Sequence, residues 1–99
     1  MSNIYSLNEI KQKLAPIFAE YDITKAILFG SYAKGQATEM SDIDLVIDCK
    51  QRGLSFYGII AAIEEGLKKD CDVFRATSIE RGSRLSQEIE ETGVIIYEH

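Results

Sequence analysis

Apolar residues recur along this chain in two rhythms, one helical and one extended, and the two alternate from end to end. Leu7, Ile10, Leu14, Ile17, Phe18 and Tyr21 keep the helical period, and Ser6 with Glu9 forms a capping box that starts this helix. Pro16 falls inside the run. It should kink or restart the helix, because it lacks an N–H and its ring clashes one turn back. Lys25–Phe29 is a short apolar run ending at Gly30 and reads as a buried strand. From Asp42 to Asp48 the residues alternate, with Ile43, Leu45 and Ile47 on one face and Asp42, Asp44, Val46 and Asp48 on the other. Phe56, Ile60, Ile63 and Leu67 return to helical spacing over residues 54–69, and Cys71–Phe74 reads as a third strand. Thr77 with Glu80 forms a second capping box opening a helix towards Thr92, although Gly82 and Ser83 weaken its first turn. Gly93 suits a left-handed cap ending that helix, and Val94–Tyr97 reads as the last strand.

Helices and strands that alternate in this way predict an α/β chain of the α+β type: a mixed β-sheet of about four strands with packed helices. The link between the second and third strands holds a full helix and suits a right-handed parallel crossover. The link between the first and second is only a turn or short helix. If Gly30-Ser31 and Asp42 are to meet, the first pair must be antiparallel, hence a mixed sheet. The 99 residues are expected to form a single domain, 1–99, around one modest core.

Composition narrows the function. Hydrophobic residues make up 45% and charged residues 27%, as in a soluble globular protein. The net charge of −5 disfavours direct nucleic-acid binding, which draws on excess Lys and Arg. Cys49 and Cys71 sit in apolar strand-like runs and read as small buried thiols. No Cys/His spacing suggests zinc, and the one histidine, His99, is the last residue. Neither a signal peptide nor a membrane-length apolar run is visible, so the expected compartment is the cytoplasm, with no membrane role.

The chemistry concentrates in Gly30-Ser31, ten residues, then Asp42-Ile43-Asp44. Asp42 and Asp44, two apart in a strand, project from one face. Adjacent carboxylates repel unless a cation lies between them, and Mg²⁺ takes such hard oxygen ligands together with substrate phosphates. An Asp-x-Asp alone is more often a solvated polar face, and a Gly-Ser alone an ordinary turn. Together they carry more. Gly30 lets the backbone approach a ligand closely, and Ser31 opens a turn whose free N–H groups can hold phosphate oxygens. Lys34 lies one turn further, within reach of the same phosphates, and Gly35 would end the turn. Asp72, in a strand where an unpaired charge is costly to bury, can join Asp42 and Asp44 if its strand runs alongside. Three carboxylates there suit two Mg²⁺ ions, with Asp72 as general base. Asp70 is the competing acid, read as solvated at the helix-to-strand junction.

Gly-Ser, ten residues, Asp-x-Asp resembles the signature of the DNA polymerase beta-like nucleotidyltransferase superfamily. Leu28–Gly35 and Ser41–Leu45 are similar, more narrowly, to its minimal nucleotidyltransferase branch. The likeness spans nearly the whole chain and reaches Cys71–Phe74, where the family places its third acid. The resemblance implies a nucleotidyltransferase fold, Mg²⁺, and ATP as substrate. Asp42, Asp44 and Asp72 would be the metal-binding and catalytic acids, and Gly30, Ser31 and Lys34 the phosphate-binding residues. Larger relatives add a domain for the acceptor, and 99 residues leave no room for one. The acceptor hydroxyl is therefore expected on another molecule. Small relatives are commonly antitoxins of HEPN-type ribonuclease toxins, and some transfer AMP to a tyrosine of the toxin. That is the leading expectation. The alternatives are a catalytically silent antitoxin that neutralises its partner by occlusion, and nucleotide transfer to a small molecule.

Overall fold

The structure, a computed structural model, describes residues 4–99. Helix α1 (Leu7–Glu20) begins at the capping box: Glu9 N donates to Ser6 Oγ at 3.1 Å and Ser6 N to Glu9 Oε1 at 2.9 Å. The helix runs through Pro16 without a break, so of the kink or restart expected there the restart does not occur. Pro16 and Gln12, whose carbonyl loses its partner, are both exposed, so water can take up the orphaned acceptor.

Strand β1 (Lys25–Phe29) pairs antiparallel with β2 (Ile43–Asp48), setting Phe29 opposite Asp44. Strand β2 pairs parallel with β3 (Cys71–Arg75), setting Asp44 opposite Asp72. Helix α2 (Leu54–Leu67) makes the crossover between them. Strand β4 (Val94–Glu98) pairs antiparallel with β1, the register shifting between Ala26 and Ile27. The sheet order is β3-β2-β1-β4. The expected mixed α/β sheet, with its antiparallel first pair and parallel second pair, is what forms.

One face of the sheet carries the main core. Ile10, Leu14 and Phe18 of α1 and Ile59, Ile63 and Leu67 of α2 close over Ala26, Leu28, Ile43, Leu45 and Ile47. Each fully buried aliphatic side chain here contributes about 1.5–3 kcal/mol of transfer free energy. Ile59 takes the inner position where Ile60 was expected, and Ile60 packs half-buried beside it. The helices meet at Gly66, where a Cβ would lie 2.7 Å from Ile17 Cδ1 and would make that side chain shift. Cys49 and Cys71 are buried free thiols, as read from the sequence. Burial and then the charge of Glu64 push the Cys71 thiol up to about 12.

The other face is covered by α3 (Arg84–Thr92), which starts later than expected. Ala76–Ser78 form a single 3-10 turn, and Gly82 adopts φ +80°, a conformation that no continuous helix from Thr77 could contain. The true cap is Ser83, whose Oγ accepts from Ser86 N at 3.1 Å. Gly93 is extended (φ −62°, ψ 136°) rather than left-handed, because the chain passes directly into β4. Its lack of a side chain matters in another way, since a Cβ would collide with the Ile89 carbonyl oxygen and stand 3.0 Å from Ile27 Cγ2. Among the described residues no helix is long and apolar enough to cross a membrane.

Candidate active site

The site forms where the C-terminal end of β1 meets the start of β2. Beyond Phe29 the chain turns sharply at Gly30 (φ +78°), a conformation costly for any residue with a Cβ. A Cβ there would also collide with Asp44 Oδ2. Glycine is therefore required twice at this position, by its backbone angle and by the carboxylate packed on it.

After Gly30 the chain makes a helical turn. Lys34 N donates to Gly30 O at 3.1 Å and Gln36 N to Ser31 O at 2.9 Å. Gly35 ends the turn with φ +72°. Like the first N–H groups of any helical turn, those of Ser31, Tyr32 and Ala33 have no hydrogen-bond partner among the described residues. Ser31 is half-buried, and Lys34 is exposed with no ion-pair partner among the described residues.

The loop leading to the acids is fastened by its own side chains. Thr38 N donates to Ser41 Oγ at 2.9 Å, Met40 N to Thr38 Oγ1 at 3.2 Å, and Ser41 N to Thr38 O at 3.0 Å. Lys69 Nζ reaches across from beyond α2 to Glu39 O at 3.2 Å. These contacts fix the approach to Asp42, which precedes β2 instead of lying within it, and which is exposed.

Asp44 is the centre of the cluster. It is half-buried, and its carboxyl is raised from 3.8 to about 6. Burial is the largest cause, followed by the charges of Asp72 and Glu88, a hydrogen bond that protonated Asp44 shares with Asp72, and the charge of Asp42. Asp72 is exposed on the edge strand β3, so the expectation that it would be costly to bury does not hold; its placement opposite Asp44 does. Asp70 is exposed at the mouth of β3, its carbonyl accepting from Ile43 N.

Of the residues named from sequence, Gly30, Asp42, Asp44 and Asp72 come together. Ser31 opens the turn beside them, and the Lys34 side chain stands outside. The sequence reading missed Glu88, whose carboxylate faces Asp44 and Gly30 from α3. A signal was there: Glu88 shares the helical face of Leu85, Ile89 and Thr92, where a solvated charge is out of place. Beside α3, Val46, Ala76, Ile79 and Ile89 with Arg81, Ser86 and Glu90 line an open cleft of about 290 Å³ of mixed character.

Clustered hard-oxygen donors with a raised carboxyl are a set whose repulsion a cation placed among them would relieve. Among the described residues no three His, Cys, Asp or Glu side chains enclose a metal by themselves. Mg²⁺ asks for less, commonly one or two carboxylates with water and phosphate completing the shell. The donor set fits that ion.

A mixed sheet that sets Asp42 and Asp44, at the entry to β2, beside a Gly-Ser turn defines the class. The chain matches the family described as "Polymerase beta, Nucleotidyltransferase" over residues 12–99, and it belongs to that family. Over 77 residues it is 36% identical to "Putative protein adenylyltransferase MJ0435" of Methanocaldococcus jannaschii, covering 75% of this chain and 82% of that protein. Among solved structures it superimposes on a chain of a toxin-antitoxin crystal structure with AMP-PNP (TM-score 0.75, 19% identity, 90% of this chain and 73% of that one). It also superimposes on a chain from the complex of tri-AMPylated Shewanella oneidensis HEPN toxin with MNT antitoxin (TM-score 0.71, 16% identity, 94% and 73%). These structural likenesses establish the polymerase beta-like nucleotidyltransferase fold.

Proposed function

We propose that this protein is a Mg²⁺-dependent adenylyltransferase. It would transfer AMP from ATP to a hydroxyl, most simply a tyrosine, of a HEPN-type toxin for which it is the antitoxin. The observation that carries the reading is Asp44, held between Asp72 across the β2–β3 ladder and the Gly30 backbone. Nucleotidyl transfer needs carboxylates within reach of phosphate-binding amides, and this contact joins the two. The choice of a protein acceptor is supported by relatives named as protein adenylyltransferases and by structural neighbours that include an AMPylated HEPN toxin complex.

The free N–H groups of Ser31, Tyr32 and Ala33 would receive phosphate oxygens, with the Ser31 hydroxyl as a further donor. Lys34 would approach the same phosphates as a point charge. Mg²⁺, held by Asp42 and Asp44 with Asp72 alongside, would neutralise phosphate charge and lower the barrier to attack. Asp72 sits at the open edge of the sheet, where an incoming hydroxyl can reach it, and accepts the proton. The acceptor oxygen attacks the α-phosphorus in line, the new O–P bond forms, the α–β bridging bond breaks, and pyrophosphate leaves.

The test is incubation with a purified HEPN-type toxin from the same organism, ATP and Mg²⁺, followed by intact mass measurement. The toxin should gain whole AMP units, and Asp44→Asn should gain none. An unmodified toxin in a stable, neutralised complex would instead establish inhibition by occlusion.

A further inference from the structure

The hydroxyl of Thr92 joins two distant parts of the molecule. It donates to Glu88 O at 2.8 Å, the ordinary back-bond of a helical threonine. The same oxygen accepts the N–H of Gly30 at 3.0 Å, from sixty-two positions earlier in the chain. Gly30 is buried and lies just past the last paired residue of β1, so neither β2 nor β4 offers its amide a ladder partner. A buried N–H left without a partner is costly, and Thr92 is what satisfies it.

That bond fixes the plane of the Phe29–Gly30 peptide, from which the following turn departs. The directions of the free N–H groups of Ser31, Tyr32 and Ala33 are set by this plane and by the positive φ of Gly30. Through its other bond Thr92 holds the last turn of α3, one turn after Glu88, whose carboxylate faces Asp44 and Gly30. One hydroxyl therefore ties the proposed phosphate turn to the helix that closes the acidic cluster.

We infer that Thr92 is a positioning residue for nucleotide binding: its hydroxyl orients the Gly30 turn so that the turn's amides converge on phosphate. This rests on the nucleotidyl-transfer reading, and it adds a residue outside the Gly-Ser and Asp-x-Asp motifs. Threonine is needed for its oxygen, since valine has the same shape without the acceptor.

The experiment measures binding of AMP-PNP in Mg²⁺ to the full chain as wild type, Thr92→Val and Thr92→Ser, with a far-UV spectrum to confirm folding. Thr92→Val should bind about tenfold more weakly, which corresponds to about 1.4 kcal/mol, the scale of one hydrogen bond. Thr92→Ser should stay within about threefold of wild type because it keeps the oxygen. Equal binding by wild type and Thr92→Val, or a serine variant as impaired as the valine variant, would overturn the inference. Absence of AMP-PNP binding by wild type is a separate result that removes the nucleotide reading and this inference with it. Should Thr92→Val fail to fold, amide resonances of the wild type decide: AMP-PNP should shift Gly30, Ser31 and Thr92 together, and a silent Thr92 would count against its role.

Discussion

On the face covered by α1 and α2, Ile10, Leu14, Leu28, Leu45, Ile47, Ile59, Ile63 and Leu67 are sealed from water. On the opposite face α3 contributes no buried residue, and Asp44 and Glu88 lie half-exposed at the margin of Phe29 and Val46. Strand β2 serves both faces, with Leu45 pointing into one and Asp44 to the other. The sealed face holds the sheet in shape at close packing density, while the open face carries charges whose mutual repulsion works against folding. Stability and chemistry are thus separated by a single residue step along one strand.

Neighbouring substitutions on β2 should separate the two faces most widely. Asp44→Asn should reduce AMP transfer roughly 10²–10³-fold or more, the scale on which removal of a group stabilising transition-state charge is felt. The same variant should unfold at a higher temperature than wild type at pH 7 without Mg²⁺, because it relieves a strained carboxylate. Leu45→Ala, one residue away, should do the reverse to stability, lowering it by about 2–5 kcal/mol in denaturant unfolding. If Asp44→Asn also destabilised the metal-free protein, the division between the faces would be wrong.

Gly30→Ala should act on both counts. A Cβ at φ +78° costs roughly 1–2 kcal/mol, and it would displace the Asp44 carboxylate. Stability and transfer should fall together, with Asp42→Asn as the control that reduces transfer alone. A further contrast is the pH dependence of the metal-free protein. Asp44 ionises near its ordinary 3.8 when unfolded and at about 6 when folded. Between those values the folded state keeps a proton that the unfolded state has released. Stability should therefore decline as pH rises from about 4 to 6, and the melting temperature of Asp44→Asn should be flatter across that window.

The alternation that defined the sheet was visible in the sequence because Ile43, Leu45 and Ile47 keep a strict period of two. The Gly30-Ser31 and Asp42/Asp44 pair was visible because both ends lie within one short connection. Glu88 and Thr92 were not singled out, since their partners lie more than forty positions away; the charge of Glu88 on an apolar helical face was a local hint, but it does not say which residue it meets. Thr77 with Glu80 misled for the opposite reason: the local signature was present, but Gly82 breaks the backbone before a helix can follow. Asp72 was placed beside Asp44 correctly and its burial wrongly, because the position of β3 at the sheet edge follows from β4 joining β1 on the other side.

The central place of β1 also bears on the order of events during synthesis. Its partner β4 and its clasp Thr92 leave the ribosome well after Gly30, sixty-two positions separating the two ends of the clasp. A nascent chain can assemble α1, β1, β2 and α2 and still have an unpinned Gly30 turn and one unpaired side of β1. Competence to engage ATP should therefore come only once β4 and Thr92 have joined β1, and a product cut before Thr92 should bind nucleotide more weakly however well its core had packed.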